Sequence, residues 1–264
     1  MIISEIGWNF LGDLELAKKM IDASILSGCN NVKFQLWNPN NLKKGPWDND
    51  GRREIYKKAF LDYDKYHQLY SYAKSKHINC FASVFDDESF DILKKIDTKY
   101  IKIPSTEAHD INLIKKSLDN FENVIVSTGA QKKEEIEALK QFSNLSNFNI
   151  LHCVSSYPLE YDLCNFEKFF YLKNNFKNIG YSGHAKGIYD AVFALSNGAK
   201  IVEKHFTIDN NLEGRDNKFA ILPEELKLIC EFEKIVKKMN ISKGLDLQKC
   251  EVDVFKNYRE RWRK

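Results

Sequence analysis

Eight short apolar runs recur along the chain, each followed by a longer segment with helical spacing, and that rhythm constrains the fold more than any other feature. The runs fall at 2–6, 31–35, 79–83, 100–103, 123–127, 149–153, 178–181 and 200–204. Short, almost continuous apolar runs belong to strands buried on both faces, and such strands are parallel ones joined by crossover helices. Between them, residues 13–27 set Leu14, Ala17, Met20, Ile21 and Ser24 on one helical face, with Gly28 placed to end the helix. Residues 132–142, 189–196 and 223–239 repeat the period, the last opening on Pro223, Glu224 and Glu225, which suit a helix start. Eight alternations in 264 residues, without a long Pro/Gly linker, predict an α/β fold: a single-domain (β/α)8 TIM barrel over 1–240, with a charged tail over 241–264. An open, doubly wound sheet is the competing architecture.

Composition narrows the partners. Basic and acidic residues nearly balance, 40 against 37, so no nucleic acid or membrane surface is expected as a partner. The opening MIISEIGWNF has neither a basic leader nor a long apolar stretch, and no window approaches a membrane span, so the expected location is cytoplasmic. The six cysteines form no CxxC pair and read as small buried hydrophobes. Residues 35–63, rich in Asn, Asp, Pro and Gly, read as a long irregular loop after the second strand.

On such a barrel, functional groups gather where strands end and loops begin. Polar residues recur there: Glu5, Lys33, Gln35, Ser83, Lys102, Ser105, Glu107, Ser127, Thr128, His152, Ser155, Tyr157, Ser182, His184, Glu203 and His205. Strand ends meet water, so any one of these has an ordinary explanation. Lysines inside apolar strands, as in VKFQ and YIKIPS, are harder to explain that way, because a buried ammonium needs an anion. Two of them facing one cavity point to a phosphate or carboxylate ligand. His184 and His205 follow neighbouring strands and would bring two imidazoles together, a weak metal signal by itself. The Gly-rich GYSGHAKG turn before a helix is a further candidate phosphate cradle.

Taken in order, EIGWNFLGDLELAKKMIDASILSGCNNVKFQ, ASVFD, YIKIPSTE, VIVSTGA, ILHCVSSYP, IGYSGHAKG, VEKHFTID and GRDNKFAILPEEL resemble the barrel half of the sialic acid (N-acetylneuraminate) synthases over residues 2–238. The resemblance implies condensation of phosphoenolpyruvate with a sugar aldehyde of the N-acetylmannosamine kind, giving a nonulosonic 2-keto-3-deoxy sugar acid and phosphate. It implies that His184 and His205 bind Mn²⁺ or Mg²⁺. Lys33, Ser83, Lys102, Ser105 and Ser182 would hold phosphoenolpyruvate, with Ser155 where the family often has asparagine. Gln35, Glu107, Tyr157 and Asp216 match acceptor-side positions, and Glu5, Glu107 and Glu203 would be the catalytic carboxylates.

Three departures accompany the match. The family's SDH is SGH here, with Gly183 in place of aspartate, which predicts a missing carboxylate behind the metal. The family's NH is Asn9-Phe10. Nothing after residue 238 resembles the family's C-terminal antifreeze-like domain, which reaches across a dimer to supply an arginine to the sugar site. Arg215, standing where the family has proline, is expected to bind the acceptor in its stead, with a surface ion pair to Asp216 or Glu213 as the alternative. A synthase with a smaller acceptor and a catalytically silent binding barrel are the competing functions. A homodimer through barrel helices is a possible assembly, and the aromatic segment 166–171 could serve it or pack in the core, the preferred expectation.

Overall fold

In a computed structural model that describes residues 1–262, except the side chains of residues 46 and 47, eight parallel strands close into a barrel in sequence order. The strands are β1 (Ile2–Gly7), β2 (Asn31–Leu36), β3 (Asn79–Val84), β4 (Tyr100–Ile103), β5 (Asn123–Ser127), β6 (Phe148–Cys153), β7 (Ile179–Gly183) and β8 (Ile201–His205). Closure is made by β8 pairing with β1, Ile2 opposite Val202 through Glu5 opposite His205. The open-sheet alternative is thereby excluded. Several strands run one or two residues further than their apolar runs, so Ser182 and His205 lie within strands. The ladder continues there because these polar side chains face an interior cavity and not the apolar core.

The helices are α1 (Leu14–Leu26), α2 (Arg52–Lys58), α3 (Tyr63–Ser75), α4 (Asp87–Lys94), α5 (Ile111–Asn120), α6 (Lys133–Ala138), α7 (Phe166–Asn175), α8 (Tyr189–Ser196), α9 (Pro223–Met239) and α10 (Val252–Asn257). Their starts follow local chemistry. Asp13 caps α1 by accepting from the amides of Glu15 and Leu16, and Gly28, at φ +80, turns the chain after it. Ala17, Met20, Ile21 and Ser24 are its buried stripe, as their spacing predicts, while Leu14 is only half buried.

Residues 35–63 are more ordered than the sequence implied. They hold two 3₁₀ turns, Pro39–Asn41 and Pro46–Asn49, and then α2, which begins beside Gly51 at φ +83. These pieces are too short for a periodic apolar face to register. In the 166–171 segment Phe169 is fully buried and Phe170 is 38% exposed, so core packing dominates. Five cysteines are buried and Cys250 is exposed. No helix among the described residues is long and apolar enough to cross a membrane.

Inside the barrel, Ile3, Phe81, Ile125, Leu151 and Ile201 form an apolar floor. A larger core lies between the strands and the helices. The floor closes the N-terminal end and leaves polar side chains only at the other.

Candidate active site

Strand alternation carries Glu5, Lys33, Gln35, Ser83, Lys102, Ser127, Cys153, Ser182, Glu203 and His205 inward above that floor, and His184 follows directly on β7. Together they line a cavity of about 320 Å³. Helix α2 and the loops add Trp8, Arg52, Tyr56, Phe85, Pro104, Ser105, Thr106, Tyr157, Arg215 and Asp216 around its mouth. Lys33 and Lys102 therefore do share one cavity, as their places in apolar strands implied.

The two lysines differ in their company. Lys33 Nζ lies 2.6 Å from Glu5 Oε2 and 3.7 Å from Glu203 Oε1, and donates to Ser83 Oγ at 2.7 Å. Lys102 Nζ donates to the carbonyl of Ile103 at 3.1 Å and has no ion pair among the described residues. Burial lowers its pKa, partly countered by Glu203. An anion entering the cavity thus meets one ammonium held by carboxylates and one still needing a counter-ion.

The carboxylates are also unequal. Burial pushes Glu5 up to about 7 against the opposing pull of Lys33, and the Gln35 amide donates to it at 2.6 Å. Burial also acts on Glu203, but Lys33 and Lys102 outweigh it and hold that group below the usual carboxylate range. Ser182 Oγ donates to Glu203 Oε1 at 3.1 Å, while Oε2 has no hydrogen-bond partner among the described residues. Near neutral pH the site pairs a protonatable carboxyl with a fixed anion, the division of labour that general acid–base chemistry uses.

The imidazoles converge as their sequence positions suggested. The rings of His184 and His205 lie 5.4 Å apart, with Tyr157 4.1 Å from the first and 6.0 Å from the second. His184 Nδ1 donates to the Val154 carbonyl at 2.8 Å, so its lone pair is on Nε2. His205 Nδ1 lies 3.3 Å from the Asp216 carboxylate without a hydrogen bond, and Trp8 Nε1 donates to that carboxylate. Burial lowers His184 to about 4 and lowers His205 as well, leaving both rings neutral and available as ligands. Among the described residues no group of three or more His, Cys, Asp or Glu is gathered as a metal cage. Two neutral nitrogens fit a divalent ion whose other ligands are oxygens from outside the chain.

Other sequence candidates are placed less directly. Ser155 lies behind Ser105, its Oγ 2.9 Å from the Ser105 Oγ, and does not line the cavity. Glu107 is also outside the lining: the 3₁₀ turn Ser105–Glu107 presents Ser105 and Thr106 to the cavity and leaves Glu107 half buried elsewhere. His152 points outward, bonded to the Cys164 carbonyl at 2.8 Å and edged by Phe166. Phe10 is buried against Phe34, so the residue replacing the family histidine belongs to the core.

At the glycine-rich turn, Asp190 in the first turn of α8 accepts from the Ala191 amide at 2.8 Å and pairs with Lys204, so a carboxylate already occupies that helix start. Arg215 lines the rim, exposed, and makes neither expected ion pair: Glu213 pairs with Lys58, and Asp216 turns toward Trp8 and His205. Sequence reasoning missed Trp8, Arg52, Tyr56 and Phe85. Trp8 sits just past β1, where an aromatic beside a strand end is a usable signal. Arg52 and Tyr56 come from α2, inside the segment taken as loop.

Comparison with known proteins agrees with this fold. The NeuB family profile matches residues 20–243. The chain is 35% identical over 247 residues to the N,N'-diacetyllegionaminic acid synthase of Campylobacter jejuni, covering 87% of this chain and 74% of that one. It is 34% identical over 243 residues to the N-acetylneuraminate-9-phosphate synthase of Drosophila melanogaster, covering 86% and 65%. The N-acetylneuraminic acid synthetase of Leptospira borgpetersenii, solved with citrate, superimposes with a TM-score of 0.88 at 33% identity, covering all of this chain and 92% of that one.

Proposed function

Because the chain belongs to the NeuB family, we propose that it condenses phosphoenolpyruvate with the open-chain aldehyde of an N-acetylmannosamine-like sugar, releasing phosphate and forming a nonulosonic 2-keto-3-deoxy sugar acid in the cytoplasm. The observation that carries this reading is the single cavity in which Lys33 and Lys102 stand beside two convergent imidazoles. A donor bearing both phosphate and carboxylate needs two cations, and the serines at 83, 105 and 182 line the same cavity as further hydrogen-bond donors.

In the reaction the methylene carbon of phosphoenolpyruvate attacks the aldehyde carbon, so negative charge grows on the aldehyde oxygen and positive charge on the neighbouring phosphate-bearing carbon. Water then adds to that carbon, so that phosphate can leave and the 2-keto group remain. Held by His184 and His205, a divalent ion, Mn²⁺ or Mg²⁺, would supply Lewis-acid polarisation of the aldehyde. Glu203, kept ionised by its lysines, stabilises the cationic carbon. Glu5, poised near neutral pH, holds or gives up the proton that the attack and the later loss of phosphate require. Gln35, Tyr157, Arg215 and Asp216 face the side left for the acceptor, with Arg215 free of competing ion pairs among the described residues.

A silent binding barrel is not favoured. Buried Lys33, Lys102, Glu5 and Glu203, together with both imidazoles, are costly at one cavity unless a ligand uses them. Incubation of the purified protein with phosphoenolpyruvate, Mn²⁺ and a panel of aldehyde sugars tests the proposal. Phosphate release that needs both substrates supports it, and the preferred sugar separates N-acetylated from smaller acceptors. No release with any acceptor, together with no binding of phosphoenolpyruvate, overturns it.

A further inference from the structure

Behind the two imidazoles, away from the cavity, the fold buries a second charged group that the proposed chemistry does not use. Lys204 lies between Glu203 and His205 on β8, but the pleat turns it outward, and it is 2% exposed. Its Nζ donates to both carboxylate oxygens of Asp190 at 3.0 Å and to the Ala185 carbonyl at 2.6 Å. Asp190, equally buried, also accepts from Tyr181 Oη at 3.2 Å. One ammonium therefore ties β8 to the residue after His184, and one carboxylate ties that ammonium to β7 and α8.

The tie sits where backbone support runs out. The β7–β8 ladder ends with Gly183 opposite Lys204. Beyond it, the His184 carbonyl accepts from the Leu159 amide at 3.0 Å, and Lys204 holds the next carbonyl. Gly183 makes the arrangement possible: a Cβ there would lie 2.3 Å from Asp190 Oδ2 and 3.1 Å from Lys204 Cδ. Position 183 is also where the sequence lacks the aspartate of the SDH motif. Asp190 fills that space from the helix side, but its carboxylate pairs with Lys204 and Tyr181 and not with either imidazole.

We propose that Asp190 is a positioning residue, which through Lys204 fixes the ends of β7 and β8 so that His184 and His205 converge. Its consequence for catalysis rests on the synthase reading, whereas its effect on the imidazoles does not. A pair that only filled space would be replaced by apolar residues of similar size without loss. Here both charges are aimed at the strand ends that carry the histidines.

The test compares wild type with Asp190→Ala, Asp190→Leu/Lys204→Met and Gly183→Ala, each checked by thermal unfolding. NMR of labelled histidine reads the imidazoles of His184 and His205 without metal or substrate, and calorimetry with Mn²⁺ alone reads their use as ligands. In Asp190→Ala and in the apolar pair, both imidazole resonances should move and Mn²⁺ affinity should fall about tenfold or more. The apolar pair should do so while keeping the wild-type melting temperature. Gly183→Ala should give the same shifts with both charges present, because its methyl crowds the Asp190 carboxylate and the ring of Tyr181, whose hydroxyl donates to it. Unchanged imidazole resonances in the apolar pair and in Gly183→Ala overturn the proposal, leaving the cluster a purely stabilising role. A wild type that binds no Mn²⁺ would instead count against the two-imidazole metal site, and the resonances would still decide the part played by Asp190.

Discussion

The floor and the mouth of this barrel are built by the same strands, one pleat apart. Ile3, Phe81, Ile125, Leu151 and Ile201 make the floor, and the residues two further on are Glu5, Ser83, Ser127, Cys153 and Glu203. Side chains two apart on a strand share a face, so the floor fixes the register that aims the mouth at one cavity. The two layers teach different lessons about cost. The floor stabilises by excluding water, whereas the mouth keeps buried charges that help only when a ligand completes them.

Substitutions at the two layers should therefore fail in different ways. The largest effect is expected for Lys102→Met: phosphate release should drop on the order of 10³-fold, by loss of a cation aimed at the donor. Its stability should hold or rise, because the ammonium has no ion pair to lose among the described residues. A normal rate with a lowered melting temperature would reverse the roles assigned to the layers. Phe81→Ala, in the floor, should cost about 3 kcal/mol in urea unfolding while leaving the KM for phosphoenolpyruvate unchanged in the folded protein.

Glu5→Gln should lower kcat on the order of 10²-fold. It also carries a pH signature. Glu5 binds its proton more tightly folded than unfolded, moving from 4.5 to about 7. Its contribution to stability is complete below the lower value and is lost as pH rises through the higher one. The stability advantage of wild type over Glu5→Gln should accordingly shrink between those two pH values, and a constant difference would deny the burial that raises this carboxyl. Arg215→Ala should have the smallest effect, raising the acceptor KM about tenfold with stability altered by less than about 0.5 kcal/mol. An unchanged KM would mean that Arg215 takes no part in binding the acceptor.

The barrel was legible because its strands are buried on both faces and its longer helices carry full apolar stripes. Helices α8 and α9 match their sequence boundaries for that reason. Convergence of Lys33, Lys102, His184 and His205 was legible too, since strand-end position alone fixes it in a closed barrel. What escaped depends on side-chain direction or on short irregular pieces. Helix α2 has seven residues and none buried, so it left no periodic trace, and Arg52 and Tyr56 were lost with it. Asp190 carries no signal of its own in the sequence, falling inside the expected helix 189–196. Only the packing of α8 against Gly183 shows it reaching Lys204. Glu107 differs in the other direction: its motif places it on the turn beside the cavity, but that 3₁₀ turn faces only Ser105 and Thr106 into the lining.

Calorimetric titration of phosphoenolpyruvate, with Mn²⁺ present, into the wild type and into Lys33→Met/Lys102→Met tests the paired-lysine cavity most directly. One molecule bound per wild-type chain, with affinity at least about 100-fold weaker in the doubly substituted protein, is the expected result. Equal affinity in both proteins would mean that the donor lies elsewhere and that the charged mouth of the barrel serves another purpose.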